Sequence, residues 1–369
     1  MNKTLLNFLK KYDYSFFAII GTIFIIGLLN LYSATHAHSS ISMQNLYKSQ
    51  LAIFLFANAV AFGISLVSPK NMYRFSYWIY IFNVFLLVLV LILGQKGMGA
   101  QRWLYFAGIR IQPSEIMKIS LAMALARYFT RNSPEKALTL KSMILPFMMT
   151  IVPTVLIIAQ PDLGTGLLLL LIFAVMAFYK RLSIKSIGVL FVLAVISGSL
   201  MYNFGLKKYQ QKRILTFLNP QADAKGSGYN AIQSQIAIGS GRWFGKGFKN
   251  SSQASLNFLP ENHTDFVFSI FNEEHGFVGS LILLALYIIL LTRFIWLSGS
   301  CLRFYDSLLT IGLMAIFFWH TFINMSMVMG LLPIVGLPLP LMSYGGSSLM
   351  TFCLALGIIT SVSNSRTLF

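Results

Sequence analysis

The amino-acid sequence predicts an all-α polytopic membrane protein of about ten transmembrane helices, with a large extracytoplasmic loop between spans 7 and 8. Three observations predict it. Long apolar runs recur along the whole chain, each near the roughly 20 residues a helix needs to cross a bilayer. Only 10% of the 369 residues are charged and 56% are hydrophobic, whereas soluble domains are roughly one-quarter charged. The basic residues are concentrated in alternate connecting loops, as in membrane proteins. No stretch between spans is long enough for a separate soluble domain, so residues 1–369 read as a single membrane domain.

Taken in order, the apolar runs place spans at 14–34, 49–68, 73–94, 113–130, 142–160, 164–180, 186–204, 266–292, 306–331 and 339–362. The first is too long for a signal-peptide core and lacks a cleavage site, so it reads as an uncleaved span. Between spans 3 and 4, residues 95–112 are too polar to cross the bilayer and too apolar to float free. They read as an interfacial or re-entrant segment. Residues 205–265 form the long loop. Its aromatic and apolar content (Ile214 to Leu218, Ile232 to Ile238, Trp243) points to an ordered loop hugging the membrane. The repeated Pro and Gly of 330–347 favour an outside turn with a broken helix start, whose free N–H groups could receive an anion.

The formal net charge of +18 would suggest nucleic acid in a soluble protein. Here the basic residues flank spans and face anionic lipid, so no nucleic-acid partner is expected. One set of loops and span ends holds Lys3, Lys10, Lys11, Lys70, Arg74, Arg127, Arg131, Lys136, Lys141, Lys180, Arg181, Lys185, Arg293, Arg303 and Arg366. The opposite short loops hold only Lys48, Lys96, Arg102 and Arg110. The positive-inside rule then puts both termini in the cytoplasm, in a multi-pass protein of the cytoplasmic (inner) membrane. Cys301 and Cys353 give neither a disulfide framework nor a metal spacing.

The ten acids can be placed one by one. Asp13, Glu135 and Asp306 fall at cytoplasmic ends and Asp223 in the long loop, while Glu115, Asp162, Glu261, Asp265, Glu273 and Glu274 all fall on the outer half. Ionisable groups at membrane depth are costly and mark function, so the outer acids form the leading site. In FLPENHTDF, 258–266, Glu261, His263, Thr264 and Asp265 converge at a membrane rim, where a partly desolvated carboxylate suits a general base. The plainer reading of Asp265 is a helix N-cap. Glu273 and Glu274 lie deeper, and one of them reads equally as a structural acid paired with Lys or Arg. In QPSEIMK, 112–118, Glu115 and Lys118 are spaced for a same-face ion pair. Arg102 beside Trp103 could clamp phosphate, or Trp103 could be an interfacial anchor. In QPDLGTG, 160–166, a tight turn alone would explain Asp162. The Gly-rich stretch 229–248, with Gln235 and with Arg213 and Lys212 upstream, could approach a pyrophosphate or be a solvated loop.

These segments, together with GAQRW (99–103), QSQIAIGSG (233–241), GKGF (245–248), EEHGFVG (273–279) and GLPLPLMSYGGSS (336–348), resemble the SEDS family (shape, elongation, division and sporulation proteins) along essentially the whole chain. The GAQRW and AIGSG forms favour its elongation branch over its division branch. The resemblance implies ten spans with both termini inside and a glycosyltransferase that polymerises lipid II at the outer face of the membrane. It also implies a class B penicillin-binding protein and other elongation-complex proteins as partners. The family's essential aspartate matches Asp265. The remaining candidates, Arg102, Trp103, Glu115, Lys118, Asp162, Arg213, Gln235, Glu261, His263, Thr264 and Ser343, would bind substrate. No protein-held metal or cofactor is expected from the residues, although a leaving diphosphate needs cations. Arg102, Lys118, Arg213 or a divalent ion (Mg or Mn) are the candidates. The rival readings are a lipid II flippase and a non-catalytic scaffold of the cell-wall elongation machinery.

Overall fold

A computed structural model describes residues 14–36, 40–97, 100–106, 109–131, 140–182, 186, 188, 208–223, 226–256, 258–259 and 261–365. The chain enters α1 (Tyr14–Thr35), α2 (Leu46–Ser65) and α3 (Pro69–Leu93). A three-stranded sheet follows, β1 (Gln95–Gly97), β2 (Ala100–Phe106) and β3 (Ile109–Ile111). Then come α4 (Pro113–Arg131), α5 (Leu140–Ala159), α6 (Leu163–Tyr179), α7 (Lys208–Leu218), α8 (Ser227–Gly241), α9 (Val267–Gly299), α10 (Phe304–Val328) and α11 (Gly346–Ser365). Among the described residues, nine of the ten predicted spans fall on these helices. The predicted span 186–204 lies, but for residues 186 and 188, outside the described residues.

The bundle is arranged by polarity. Helices α2, α3 and α5 expose large apolar side chains such as Phe56, Trp78, Phe82 and Val155, as helices facing lipid must. Helices α4 and α10 are almost wholly buried. They carry the polar residues that hydrocarbon would reject: Glu115, Lys118 and Ser120 on α4, His320 and Asn324 on α10. Helix α4 packs against α3, α6 and α10, and α10 also against α9 and α6.

The described residues of 95–112, expected as an interfacial or re-entrant segment, make an antiparallel meander ordered β1-β2-β3, with Leu104 opposite Ile111 and Tyr105 opposite Arg110. Strand pairing satisfies backbone groups that a bare re-entrant loop would leave open. The last span begins at Gly346 and not at 339, because Leu341 takes a left-handed conformation (φ 65) that a right-handed helix cannot contain. The span predicted to end at 292 continues to Gly299 and is broken at Gly276 (φ 65, ψ −163).

That break is filled by the long loop. The carbonyls of Glu273 and Glu274 accept from the N–H groups of Lys246 (2.9 Å) and Gly247 (3.0 Å). The N–H groups of Phe277 and Val278 donate to the carbonyls of Arg242 (2.8 Å) and Trp243 (3.0 Å). A Cβ at residue 276 would lie 2.7 Å from the backbone of Trp243 and of Phe244, so the close approach requires glycine. Trp243, Phe244 and Phe277 face outward from this junction.

Candidate functional site

Asp265 stands in a turn, 261–266, that immediately precedes α9. The turn is held by backbone bonds from Thr264 N and Phe266 N to the Glu261 carbonyl (3.1 and 3.3 Å). Glu261 adopts a left-handed conformation (φ 56), which costs a non-glycine residue about 1–3 kcal/mol and recurs at functional sites. Its carboxylate accepts from the Thr264 hydroxyl at 2.9 Å and lies 4.0 Å from His263 Nε2. The N-cap reading of Asp265 is not met: α9 is capped by Phe266, without a side-chain cap bond.

The segment after α10 is wrapped around this turn. Ser343 Oγ donates to the Thr264 carbonyl (2.6 Å) and accepts from Leu339 N (2.8 Å). Tyr344 N donates to the His263 carbonyl (2.9 Å). Gln50 of α2 pins the far side through the Ser343 carbonyl (3.0 Å). Asn324 on α10 donates from one amide nitrogen to the carbonyls of Asp265 (3.0 Å) and Leu337 (2.7 Å). Gly336 (φ 78) backs the carboxylate so closely that a Cβ there would sit 3.1 Å from Asp265 Oδ2.

Its backbone thus fixed, the Asp265 carboxylate accepts no hydrogen bond among the described residues, and it stays partly accessible. Burial pushes its pKa up from 3.8 to about 6, and the negative charge of Glu261 adds to the rise, while Arg213 and Arg102 pull it down. An unbonded, half-buried carboxyl titrating near neutrality is a poised proton acceptor.

The other predicted residues divide by where they sit. Arg213, exposed on α7, donates to the Ile334 carbonyl (3.2 Å). With Gln235 of α8 it lines an open-mouthed cleft enclosing about 390 Å³, walled by Phe217, Met327 and Pro333. Arg102 on β2 donates to the carbonyls of Gln160 (3.3 Å) and Pro161 and approaches Asp162 (3.9 Å). Asp162 caps α6 through Thr165 N (3.3 Å) and Thr165 Oγ1 (3.0 Å) and accepts from Gln112 (3.4 Å). Trp103 is half-buried beside Arg102 on the same strand. Glu115 and Lys118 form the expected ion pair at 2.8 Å. Lys118 has no exposed surface, so as placed it cannot present its charge to a ligand in the cleft.

The deeper acids separate. Glu273 accepts from Lys246 (2.5 Å), Ser251 (2.5 Å), Ser252 (2.6 Å) and the Ser252 and Gln253 N–H groups (3.1 and 3.3 Å). It organises the loop that fills the α9 break. Glu274 is buried and accepts from the Ser33 hydroxyl. Among the described residues, no three His, Cys, Asp or Glu side chains come together as a metal-ligating group.

Asn324, His320 and Gly336 escaped the reading of the acids. The available signal was the pair His320 and Asn324, four residues apart in an apolar helix, since polar side chains at membrane depth are expensive and tend to be functional.

The matches to known proteins cover the whole of this architecture. The model of the FtsW/RodA/SpoVE cell cycle proteins matches residues 13–368. The peptidoglycan glycosyltransferase MrdB of Escherichia coli K12 is 42% identical over 302 residues, 81% of this chain and 80% of MrdB. A probable peptidoglycan glycosyltransferase FtsW of Aromatoleum aromaticum is 35% identical over 92% of this chain and 84% of its own length. A chain of a peptidoglycan synthase complex that coordinates polymerization and crosslinking superposes with a TM-score of 0.83 at 30% identity, over 97% of this chain and 99% of that one. The rod shape determining protein RodA of Thermus thermophilus gives 0.71 at 28% identity, over 97% and 98%.

Proposed function

The chain belongs to the FtsW/RodA/SpoVE family of cell cycle proteins, and on that premise we propose that Asp265 is the general base of its reaction. The protein is a multi-pass membrane protein and a peptidoglycan glycosyltransferase. Its substrate is the lipid-linked disaccharide lipid II, polymerised into β-1,4 glycan at the outer face of the cytoplasmic membrane during elongation, and both of its termini are cytoplasmic. A class B penicillin-binding protein crosslinks the product beside it. Residues 1–369 act as one membrane domain.

In this reading Asp265 takes the proton from the 4-hydroxyl of the acceptor GlcNAc as that oxygen attacks the anomeric carbon of the donor MurNAc. The new C–O bond forms as the bond to the diphosphate breaks, and undecaprenyl diphosphate leaves with the electron pair. The configuration inverts from α to β. One carboxylate suffices, because a diphosphate leaves without the acid that an alkoxide needs; a retaining glycosidase would need two closely spaced carboxyl groups. Arg213 is exposed and within electrostatic reach of Asp265, placed to meet developing negative charge. Arg102 orients the 160–162 turn and adds its field. Trp103, Gln235, Glu261, His263, Thr264 and Ser343 shape or bind within the same outer region, while Glu115, Lys118 and Asp162 hold the walls.

One observation carries the proposal: a partly accessible carboxylate with a fixed backbone, no hydrogen-bond donor among the described residues and a pKa of about 6. The test is labelled lipid II supplied to the purified protein with its partner in liposomes. Glycan strands are the expected product. Lipid translocation without polymer would replace this reading with a flippase, and neither activity would leave a scaffold.

A further inference from the structure

Three buried side chains lie behind the site and connect to it by a route the proposed chemistry does not use. Glu115 Oε2 accepts from Lys118 Nζ at 2.8 Å. The same ammonium lies 2.8 Å from His320 Nε2, and His320 Nδ1 lies 3.0 Å from the Pro338 carbonyl. Lys118 and His320 have no exposed surface and Glu115 almost none.

The partners assign the proton positions. A carbonyl oxygen can only accept, so Nδ1 carries the hydrogen; a neutral ring then offers a lone pair at Nε2, which receives the Lys118 ammonium. Reversing either role would set donor against donor, or acceptor against acceptor, in a dry interior.

Pro338 belongs to the segment that shapes the Asp265 environment. Two residues earlier, Gly336 backs the carboxylate. One residue earlier, the Leu337 carbonyl shares the Asn324 amide with the Asp265 carbonyl. One residue later, Leu339 N bonds the Ser343 hydroxyl that holds Thr264. A proline contributes no N–H, so this stretch relies on its carbonyls for anchorage. The Pro338 carbonyl is tied to α10 by His320 as the Leu337 carbonyl is tied by Asn324, one helical turn further on.

Resting on the reading of Asp265 as the base, we propose that His320 is a positioning residue for it. The Nδ1–H of His320 holds the 336–339 segment against the carboxylate, and the Glu115–Lys118 pair fixes the ring that carries that hydrogen. Release of the Pro338 carbonyl lets the segment move off, which misplaces the carboxylate and admits water to it. The groups facing Asp265 are Glu261, Arg213 and Arg102; none of them touches His320, so the effect travels through backbone.

Two isosteres separate this role from mere satisfaction of buried Lys118. In the His320→Asn variant the amide N–H occupies the place of Nδ1 and keeps the Pro338 bond, while the Lys118 contact is lost. In the His320→Gln variant the amide oxygen occupies the place of Nε2 and keeps the Lys118 contact, while the Pro338 bond is lost. Turnover, KM for lipid II and the pH profile are measured on monodisperse protein. The Asn variant is expected to stay within about threefold of wild type. The Gln variant is expected to lose about tenfold or more in turnover, because an ångström-scale displacement of a reacting group costs up to about 10²-fold. Its KM holds, and the rising limb of its pH profile moves to lower pH as water reaches the carboxyl. A fully active Gln variant, or an Asn variant that loses as much as Gln, overturns the proposal. If the Gln variant does not fold, the Asn variant decides alone: near-wild-type turnover upholds the proposal and a tenfold loss overturns it. Asp265→Asn is run alongside. Full activity there removes the catalytic reading itself, whereas an inactive Asp265→Asn beside a fully active His320→Gln removes only the role given to His320.

Discussion

Replacing Asp265 by asparagine is expected to lower the rate of glycan polymerisation by about 10²–10⁴-fold, the usual worth of a positioned general base, without weakening the fold. The amide keeps the shape of the side chain and every bond made by the backbone of residue 265, and no hydrogen bond to the carboxylate is lost, because none is present among the described residues. Stability should hold or rise. The carboxyl has a native pKa of about 6 against 3.8 unperturbed. A carboxyl raised in this way contributes stability that is fully present below the unfolded value and lost as pH rises through the folded one. At neutral pH the native protein therefore carries an unfavourable charge, which the amide removes. The gain is at most about 3 kcal/mol for a shift of this size. Loss of polymer with an unchanged or higher melting midpoint is the expected pair of results. Wild-type rates from the amide would contradict the assignment.

The second large effect is on folding. Lys118→Ala should destabilise the protein by about 3–5 kcal/mol, the usual cost of removing one partner from a buried ion pair. Lys118 is fully buried and bonded at 2.8 Å on both sides, so its loss leaves Glu115 charged with no counter-ion and His320 Nε2 with no donor. The double change Glu115→Gln with Lys118→Met removes both charges at nearly constant volume and should recover most of that loss. Thermal loss of the monodisperse species in detergent reads both. A Lys118→Ala variant as stable as wild type would mean that the ammonium is not held as described.

Much of the bundle was legible because lipid enforces a simple rule. Apolar runs of bilayer length became α1 to α3, α5, α9 and α10, and the predicted span 113–130 became the more polar α4. The turn containing Asp265 was legible because acids are so few that an outer cluster stands out. Where reading failed, the decisive interaction was remote in sequence. The 95–112 meander depends on pairing Leu104 with Ile111 and Tyr105 with Arg110, in a segment with no clean alternation. The break at Gly276 is invisible in an apolar run that continues to Gly299, since its cause is the backbone of residues 242–247 arriving from the loop. Glu273 and Glu274 are neighbours in sequence, yet Glu273 is saturated by Lys246, Ser251, Ser252 and Gln253 of the loop, while the Glu274 carboxylate meets Ser33 of α1. Lys118 read as a charge for a phosphate because spacing on a helix does not say whether a face meets water or another helix. His320 and Asn324 carry no acidic charge that would single them out, although any polar group inside a membrane bundle is a candidate.

We assign to the Asp265 carboxylate the acceptance of a proton in the free enzyme's productive encounter with lipid II. The pH dependence of kcat/KM for polymerisation tests it most directly, because that quantity reports the essential groups of the free enzyme. A base must be ionised to act, so kcat/KM should rise with pH, pass its midpoint near the Asp265 pKa of about 6, and level off above it. A profile that is flat between about pH 5 and about pH 8, or one that falls as pH rises through that midpoint, would contradict the account.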